Sequence, residues 1–142
     1  MEIDVAGDNS FIKNHQSSLK KIITWICGQL TLHVKSVSII FTDNKNIQTL
    51  HYQFFDDDSP TDVITFNLGS GEEIEAEIYI SEEYSREQAS LYHVSYIEEI
   101  SRLLVHAMLH LAGYDDKTDD MRIAMKHEED KYVHYISEKY LN

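Results

Sequence analysis

The segment VHAMLHLAGYDD, residues 105–116, carries two histidines four residues apart in an apolar run. Residues four apart on a helix project from one stripe, so His106 and His110 can present ring nitrogens to one metal ion. Gly113 favours a turn at the helix end, and Asp116, ten residues after the first histidine, has the offset at which metzincin proteases place their third ligand. The spacing therefore predicts a divalent metal site with a position left for an acidified water.

Other interpretations of the histidine pair remain open. Each ring could be a core histidine whose nitrogens are satisfied by backbone carbonyls. A protease is disfavoured, because the general-base glutamate that should follow the first histidine is Ala107 here. Two histidines and one carboxylate also match the facial triad of iron oxygenases, but this chain has too few strands for the β-helix on which such sites are usually built.

The elements that must position these residues follow from periodicity and turn signals. The pattern over residues 96–112 predicts a helix that is apolar on nearly every side from Leu103 onward, and such a helix is expected to be buried. Asp43 is suited to cap an earlier helix. A hairpin between the last two strands makes one neighbour antiparallel, so we expect one α/β domain over 1–142, with a small mixed four-stranded sheet and about five helices. The strand-like segments are 2–5, 35–42, 61–67 and 75–81, and a further helix is expected at 11–30.

Composition limits the functional classes. The chain has 12 Lys and Arg against 25 Asp and Glu, a net charge of -13, which argues against DNA or general phosphate-backbone binding, although a local groove can override the sum. No apolar run is long enough for a membrane span, and the N-terminus lacks a basic start followed by an apolar segment. The lone Cys27 lies in an apolar run and is expected to be buried. These features predict a soluble, cytoplasmic monomer.

Beyond its spacing, VHAMLHLAGYDD resembles the motif HGxLHLxGYDH of the YbeY family, metal-dependent bacterial endoribonucleases of ribosomal RNA maturation and ribosome quality control. TDVITF at 61–66 is similar to the family's TDVLSF strand, and AEIYIS at 76–81 to its GDIxIS strand. Met125 and Glu129 match a methionine and a glutamate of its final helix. The resemblance covers roughly residues 35–130, and this combination is far more specific than a histidine pair alone.

The resemblance implies a zinc-like ion at the end of the long helix, held by His106, His110 and Asp116, and hydrolysis of phosphodiesters by a hydroxide delivered from that ion. The implied substrate is single-stranded RNA in 16S rRNA 3′-end maturation and ribosome quality control, with ribosomal RNA and small-subunit components as partners. The alternative is a non-catalytic ribosome-assembly factor that retains the metal as a structural support.

Three departures from the family pattern are visible. Asp116 replaces the usual third histidine, and Ala107 replaces a glycine. In the segment LHYQFF, Phe55 stands where the family's LNxxYR carries an arginine that would clamp a phosphate. Arg86, Arg102 and Lys117 are the candidates to supply the missing cation.

Two residues are candidate catalytic groups. Arg102 lies one turn before His106, although it could instead pair with Glu98. Asp115 could assist the reaction or hydrogen-bond the turn.

The strand at 61–67 is expected to border the cleft through Thr61, Asp62 and Thr65. Asp62 is the expected hydrogen-bond partner of a ligand histidine.

Overall fold

The computed structural model describes residues 1–7 and 9–141. Asp8 and Asn142, which the predicted domain includes, lie outside the described residues. The chain forms a single small α/β domain, as predicted. Its elements are β1 (Glu2–Ala6), α1 (Ser10–Gln29), β2 (Val34–Thr42), α2 (Asn44–Phe55), β3 (Val63–Asn67), β4 (Ile74–Ser81), α3 (Glu82–Leu91), α4 (Tyr96–Leu111) and α5 (Asp119–Tyr140).

The four strands form one mixed sheet in the order β1-β2-β4-β3. β1 and β2 are parallel, β2 and β4 are parallel, and β3 runs antiparallel to β4. The predicted hairpin between the last two strands is therefore confirmed. Because β3 is an edge strand, one side of it is free to border a cleft beside α4.

The core lies between one face of the sheet and the helices α1 and α4. On β2 the residues Val37, Ile39 and Phe41 alternate inward, as expected for a strand with one buried face. α4 is buried on most of its circumference, with Leu104 and Met108 fully inaccessible to solvent. The prediction of a buried helix is confirmed, and the burial leaves α4 fixed in position at its C-terminal end.

Capping residues define where the helices near the cleft begin and end. Ser95 accepts the backbone N–H of Glu98 at the start of α4, and Asp43 accepts that of Asn46 at the start of α2, as predicted. α2 ends at Asp56, whose positive φ of 53° stops the helix directly after Phe55. Gly113, with φ of 103°, takes the left-handed conformation that turns the chain after α4.

α5 docks across α1 and α4. Its residues Val133 and Ile136 are buried in the core, and Trp25 of α1 stacks on the Tyr135 ring with centroids 4.4 Å apart and an interplanar angle of 6°. Tyr132 contacts the same indole edge-on at 5.6 Å. This packing holds the middle of α5 against α4, where Glu129 lies.

The lone cysteine and the apolar character of the helices were two further expectations from the sequence. Cys27 is buried, as predicted, and burial raises the pKa of its thiol to about 11, which keeps it protonated and unreactive. Among the described residues, no helix combines the length and apolar character needed to cross a bilayer.

Candidate metal centre

Three side chains predicted as metal ligands converge at the C-terminal end of α4. The Nε2 atoms of His106 and His110 are 3.1 Å apart. The Oδ2 atom of Asp116 lies 3.6 Å from Nε2 of His110 and 3.9 Å from Nε2 of His106. All three residues are partly buried, and they form the one group of this kind in the described part of the chain.

The turn after α4 delivers Asp116 to the histidines. The N–H of Gly113 donates to the carbonyl of His110, and that of Tyr114 donates to the carbonyl of Leu109, so the chain folds back over its own helix end. The Asp115 carboxylate accepts the N–H of Asp116 at 2.7 Å. Arg122 donates to the carbonyl oxygen of Asp116 at 3.0 Å. The Asp116 backbone is thus held on both sides, and its side chain is free to face the histidines.

His106 is oriented by Glu129 of α5. Its Nδ1 lies 2.7 Å from Oε2 of Glu129, whose side chain is only 13% exposed. Because an ionised carboxylate can only accept, Nδ1 carries the proton and the lone pair of Nε2 points into the triad. At His106 this hydrogen bond comes from Glu129, which the packing of α5 brings to the ring, and not from Asp62.

Arg102 is engaged by the same helix. Its guanidinium lies 3.5 Å from Oε1 of Glu129 and 2.8 Å from Oδ1 of Asp130. The alternative of a pair with Glu98 is wrong, because the side chain turns across to α5 and Glu98 accepts from the Ser137 hydroxyl instead. Glu129 therefore links Arg102 to His106.

Carboxylates close to the triad raise the pKa of His106. Burial lowers the pKa of His106, but the hydrogen bond and charge of Glu129, with Asp116 and Asp62, outweigh it and leave that pKa above its ordinary value. Burial raises the pKa of Asp62. Burial, together with the negative charge of Asp62, raises the pKa of Glu99 to about 7, and Glu99 is only 3% exposed. Such crowding of acidic groups is relieved by a cation.

A cavity of about 650 Å³ opens beside the triad. Thr61, Asp62 and Thr65 border it, as predicted. Its walls come from α2, the segment 61–67 that includes β3, and α4 with the turn that follows it. Its lining residues are His51, Phe55, Thr61, Asp62, Val63, Ile64, Thr65, Asn67, His106, His110, Leu111 and Asp116. Among the described residues, this lining includes no lysine or arginine.

The cations proposed to replace the family arginine lie outside the cavity lining and have other contacts. Arg86 stacks over the Tyr96 ring, with its guanidinium carbon 4.0 Å from the centroid. Lys117 lies 3.6 Å from the carboxylate of Asp115. Arg102 is paired on α5. None of the three lines the cavity.

The donor set fits a divalent transition metal. Two ligand atoms about 2.1 Å from a shared tetrahedral ion stand roughly 3.4 Å apart, close to the separations of the three atoms here. With Nδ1 of His106 donating to Glu129, Nε2 of that ring is a free donor to a metal. Nitrogen, nitrogen and carboxylate oxygen suit zinc or a neighbouring transition ion.

Sequence reasoning missed two features of this site. Glu129 was matched to the family's final helix without its role as the partner of His106, because that contact spans 23 positions and depends on helix docking. His51, one turn before Phe55, also lines the cavity, and no local spacing pattern marks it.

Comparisons with known proteins identify the family of the chain. The family model described as "Endoribonuclease YbeY" matches residues 4–137. A curated "Endoribonuclease YbeY" of Chlorobium phaeobacteroides (strain DSM 266) is 36% identical over 118 residues, 83% of each chain. One of Chlorobaculum parvum is 36% identical over 121 residues, 85% of this chain and 86% of the relative. The solution structure of a Thermotoga maritima protein has a TM-score of 0.64 and 28% identity, covering 99% of this chain and 91% of the other. The chain belongs to the endoribonuclease YbeY family.

Proposed function

We propose that this protein is a metal-dependent endoribonuclease that cleaves single-stranded RNA. The observation that carries the proposal is the convergence of His106, His110 and Asp116 at the side of an open cavity. Relatives named as endoribonucleases cover more than four fifths of the chain. The finer roles, 16S rRNA 3′-end maturation and ribosome quality control in the cytoplasm with small-subunit components as partners, follow from the family resemblance and belong to the same proposal.

The residues that line the cavity have separate roles in this reaction. His106, His110 and Asp116 would hold one zinc ion per chain, which supplies Lewis acidity to a phosphate oxygen and to water. Asp62 lines the cavity near this triad, and burial raises its pKa, so we assign it as the acceptor of the proton that the attacking water loses. Thr61 and Thr65 border the cavity, where their side chains can contact the RNA backbone.

Asp115 and Arg102 enter this proposal as positioning residues. Asp115 accepts the N–H of Asp116 and so fixes the loop that presents the third ligand. Arg102 pairs with Glu129, which in turn holds the His106 ring. Each would affect cleavage through a metal ligand, so their removal should lower metal affinity together with rate.

Metal analysis and RNA cleavage test the function together. Protein purified without chelator should contain about one zinc per chain. Removing the metal should stop cleavage of single-stranded RNA, and adding zinc should restore it. His106→Ala should remain inactive after zinc is added. Cleavage that continues in the metal-free protein would contradict the proposal.

A non-catalytic assembly factor is the second candidate, favoured by one observation. The position that carries a family arginine is Phe55, and the described lining of the cavity offers no cation to a phosphate. A protein that binds zinc and RNA stoichiometrically but never cleaves RNA, under any metal tested, would establish this alternative.

A further inference from the structure

Aromatic side chains cluster at the mouth of the cavity. We call His51, Phe54, Phe55 and Phe66 the aromatic rim. Phe66 lies 5.0 Å from Phe54, edge to face, and 6.0 Å from Phe55 with the rings 12° from parallel. His51 is 5.5 Å from Phe55. His51 and Phe55 also line the cavity that contains the triad.

Two rings of the rim are exposed to solvent, and His51 and Phe66 are half-buried. Phe54 is 64% exposed and Phe55 is 52% exposed, although both lie on a helix whose buried face includes Ile47. An isolated exposed phenylalanine is ordinary, but contiguous exposed rings beside a binding cavity mark an interaction site. The rim is thus a candidate binding surface for a ligand with flat apolar faces.

The rim is also held in place. α2 ends at Asp56 directly after Phe55, and the loop that follows is tied back to the helix. His51 Nδ1 contacts the carbonyl of Ser59 at 3.1 Å, and the Gln48 amide donates to the carbonyl of Asp58 at 3.0 Å. The helix end that carries Phe54 and Phe55 is therefore positioned before binding, which reduces the conformational entropy lost when a ligand arrives.

The lack of cationic side chains in the described cavity lining disfavours a ligand that binds through its phosphates alone. With no lysine or arginine among its described lining residues, the cavity gains little from phosphate contacts. RNA offers a second source of affinity, because each unpaired base has a π-face that stacks on aromatic side chains whatever its sequence.

We propose that the aromatic rim is a nucleobase-stacking platform, on which Phe55 receives an unpaired base and seats the adjoining phosphate near the triad. This inference rests on the proposed function for its substrate, single-stranded RNA. Phe55 therefore replaces the missing phosphate clamp by a base contact, and it makes the site selective for unpaired RNA, since bases in a duplex are already stacked.

Binding by the zinc-loaded full-length protein tests the platform. Fluorescence anisotropy is measured with labelled oligoadenylate and with an abasic strand of equal length, at low temperature, with the RNA confirmed intact on a gel. Phe55→Leu keeps apolar bulk but removes the π-face, so it should weaken oligoadenylate binding roughly tenfold and leave abasic binding unchanged. Phe55→Tyr should bind like the wild type.

Tyr52→Leu is the matched control. Tyr52 is an equally exposed aromatic residue on the same helix, at 57%, but it does not line the cavity. Its replacement should change binding less than about twofold, within the range of ordinary surface substitutions. Thermal unfolding of each variant confirms that the fold is kept.

Several results would overturn the proposal. These are equal binding of oligoadenylate by Phe55→Leu and wild type, equal binding of abasic and intact strands by the wild type, or an equal loss in Tyr52→Leu. A cleavage assay on the same samples separates the two proposals. If no protein cleaves RNA but the binding pattern holds, the platform stands and the nuclease function fails. If cleavage is normal and Phe55→Leu binds like wild type, the nuclease function stands and the platform fails.

Discussion

The triad and two residues of the aromatic rim, His51 and Phe55, line one cavity, but the triad and the rim are built differently. The triad comes from one helix and the turn directly after it, within 11 consecutive residues of the sequence. The rim joins the C-terminal part of α2 to the edge strand β3, and its rings meet because α2 packs against β3 and β4. The triad is polar and sensitive to charge, whereas three of the four rim residues are apolar phenylalanines.

This difference teaches which parts of a site tolerate change. Metal ligands must hold their atoms within a few tenths of an ångström, so their support is dense: Glu129 holds His106, and Asp115 and Arg122 hold Asp116. A stacking surface needs only a fixed flat face. We therefore expect large effects on metal affinity from substitutions at the triad and smaller effects on RNA affinity from substitutions at the rim.

The largest effect is expected for His106→Ala. It removes a ligand, and Glu129 keeps only Arg102 as a partner, so zinc binding should be lost and cleavage should fall to background. Elemental analysis of wild type and variant, each offered zinc and then dialysed, measures this. Equal zinc contents would mean that the ligands are elsewhere.

Asp116 tests the third ligand. Asp116→Ala should weaken zinc affinity severely, while Asp116→His should keep the metal, because the turn after Gly113 already presents that position. A neutral imidazole offsets less of the positive charge of the ion than a carboxylate does, so water at the ion should be more acidic in the histidine variant. That variant should therefore be active at lower pH than the wild type. Competition with a chelating dye gives the affinities. If Asp116→Ala binds as tightly as wild type, then Asp115, Asp119 or His127 must supply the ligand.

Glu129→Gln tests the support of the triad from α5. Losing the charged acceptor at Nδ1 of His106 should lower zinc affinity about 10- to 100-fold. Glu128→Gln is the control, since that neighbour pairs with Lys131. An effect of equal size in both variants would show that helix stability, and not the hydrogen bond to His106, is responsible.

Glu99 tests whether a buried carboxylate outside the triad lowers the stability of the fold when it ionises. Its pKa is raised from 4.5 to about 7, so in the metal-free protein the stabilising protonated form is present below pH 4.5 and is lost as pH rises through 7. Glu99→Gln should match wild type near pH 4.5 and exceed its free energy of unfolding at pH 8 by at most about 3 kcal/mol. Urea unfolding at both pH values measures the difference. A variant that is less stable than wild type at pH 8 would contradict this.

Phe55→Arg is expected to have the smallest effect. It restores the family's cation at the rim, and a guanidinium can also stack on an unpaired base, so cleavage should accelerate severalfold. The slope of log affinity for single-stranded RNA against log salt should steepen by about 0.7. Tyr52→Arg adds the same charge on the same helix, outside the rim and the cavity lining, and should not accelerate cleavage. An unchanged rate for Phe55→Arg would show that this position does not face the scissile phosphate.

Local patterns predicted much of this molecule. Hydrophobic periodicity and capping residues were enough for the element order, the hairpin and the burial of α4, because each depends on neighbours in the chain. The i, i+4 histidines and the glycine turn likewise predicted the ligands that the structure brings together. The partner of His106 could not be predicted this way. Asp62 and Glu129 are both carboxylates of suitable type, and only the docking of α5 on α4 decides between them.

The stack of Trp25 on Tyr135 has an optical consequence. Trp25 is the only tryptophan of the sequence, so its fluorescence comes from one known place, the seam between α1 and α5. Tyr135 follows Glu129 by six residues, roughly 9 Å along the same helix axis. If α5 lifts away from the domain, the indole loses its stacked neighbour as His106 loses its hydrogen-bond acceptor. The emission of this single residue therefore reports, without any added label, whether the helix that supports the first metal ligand is in place.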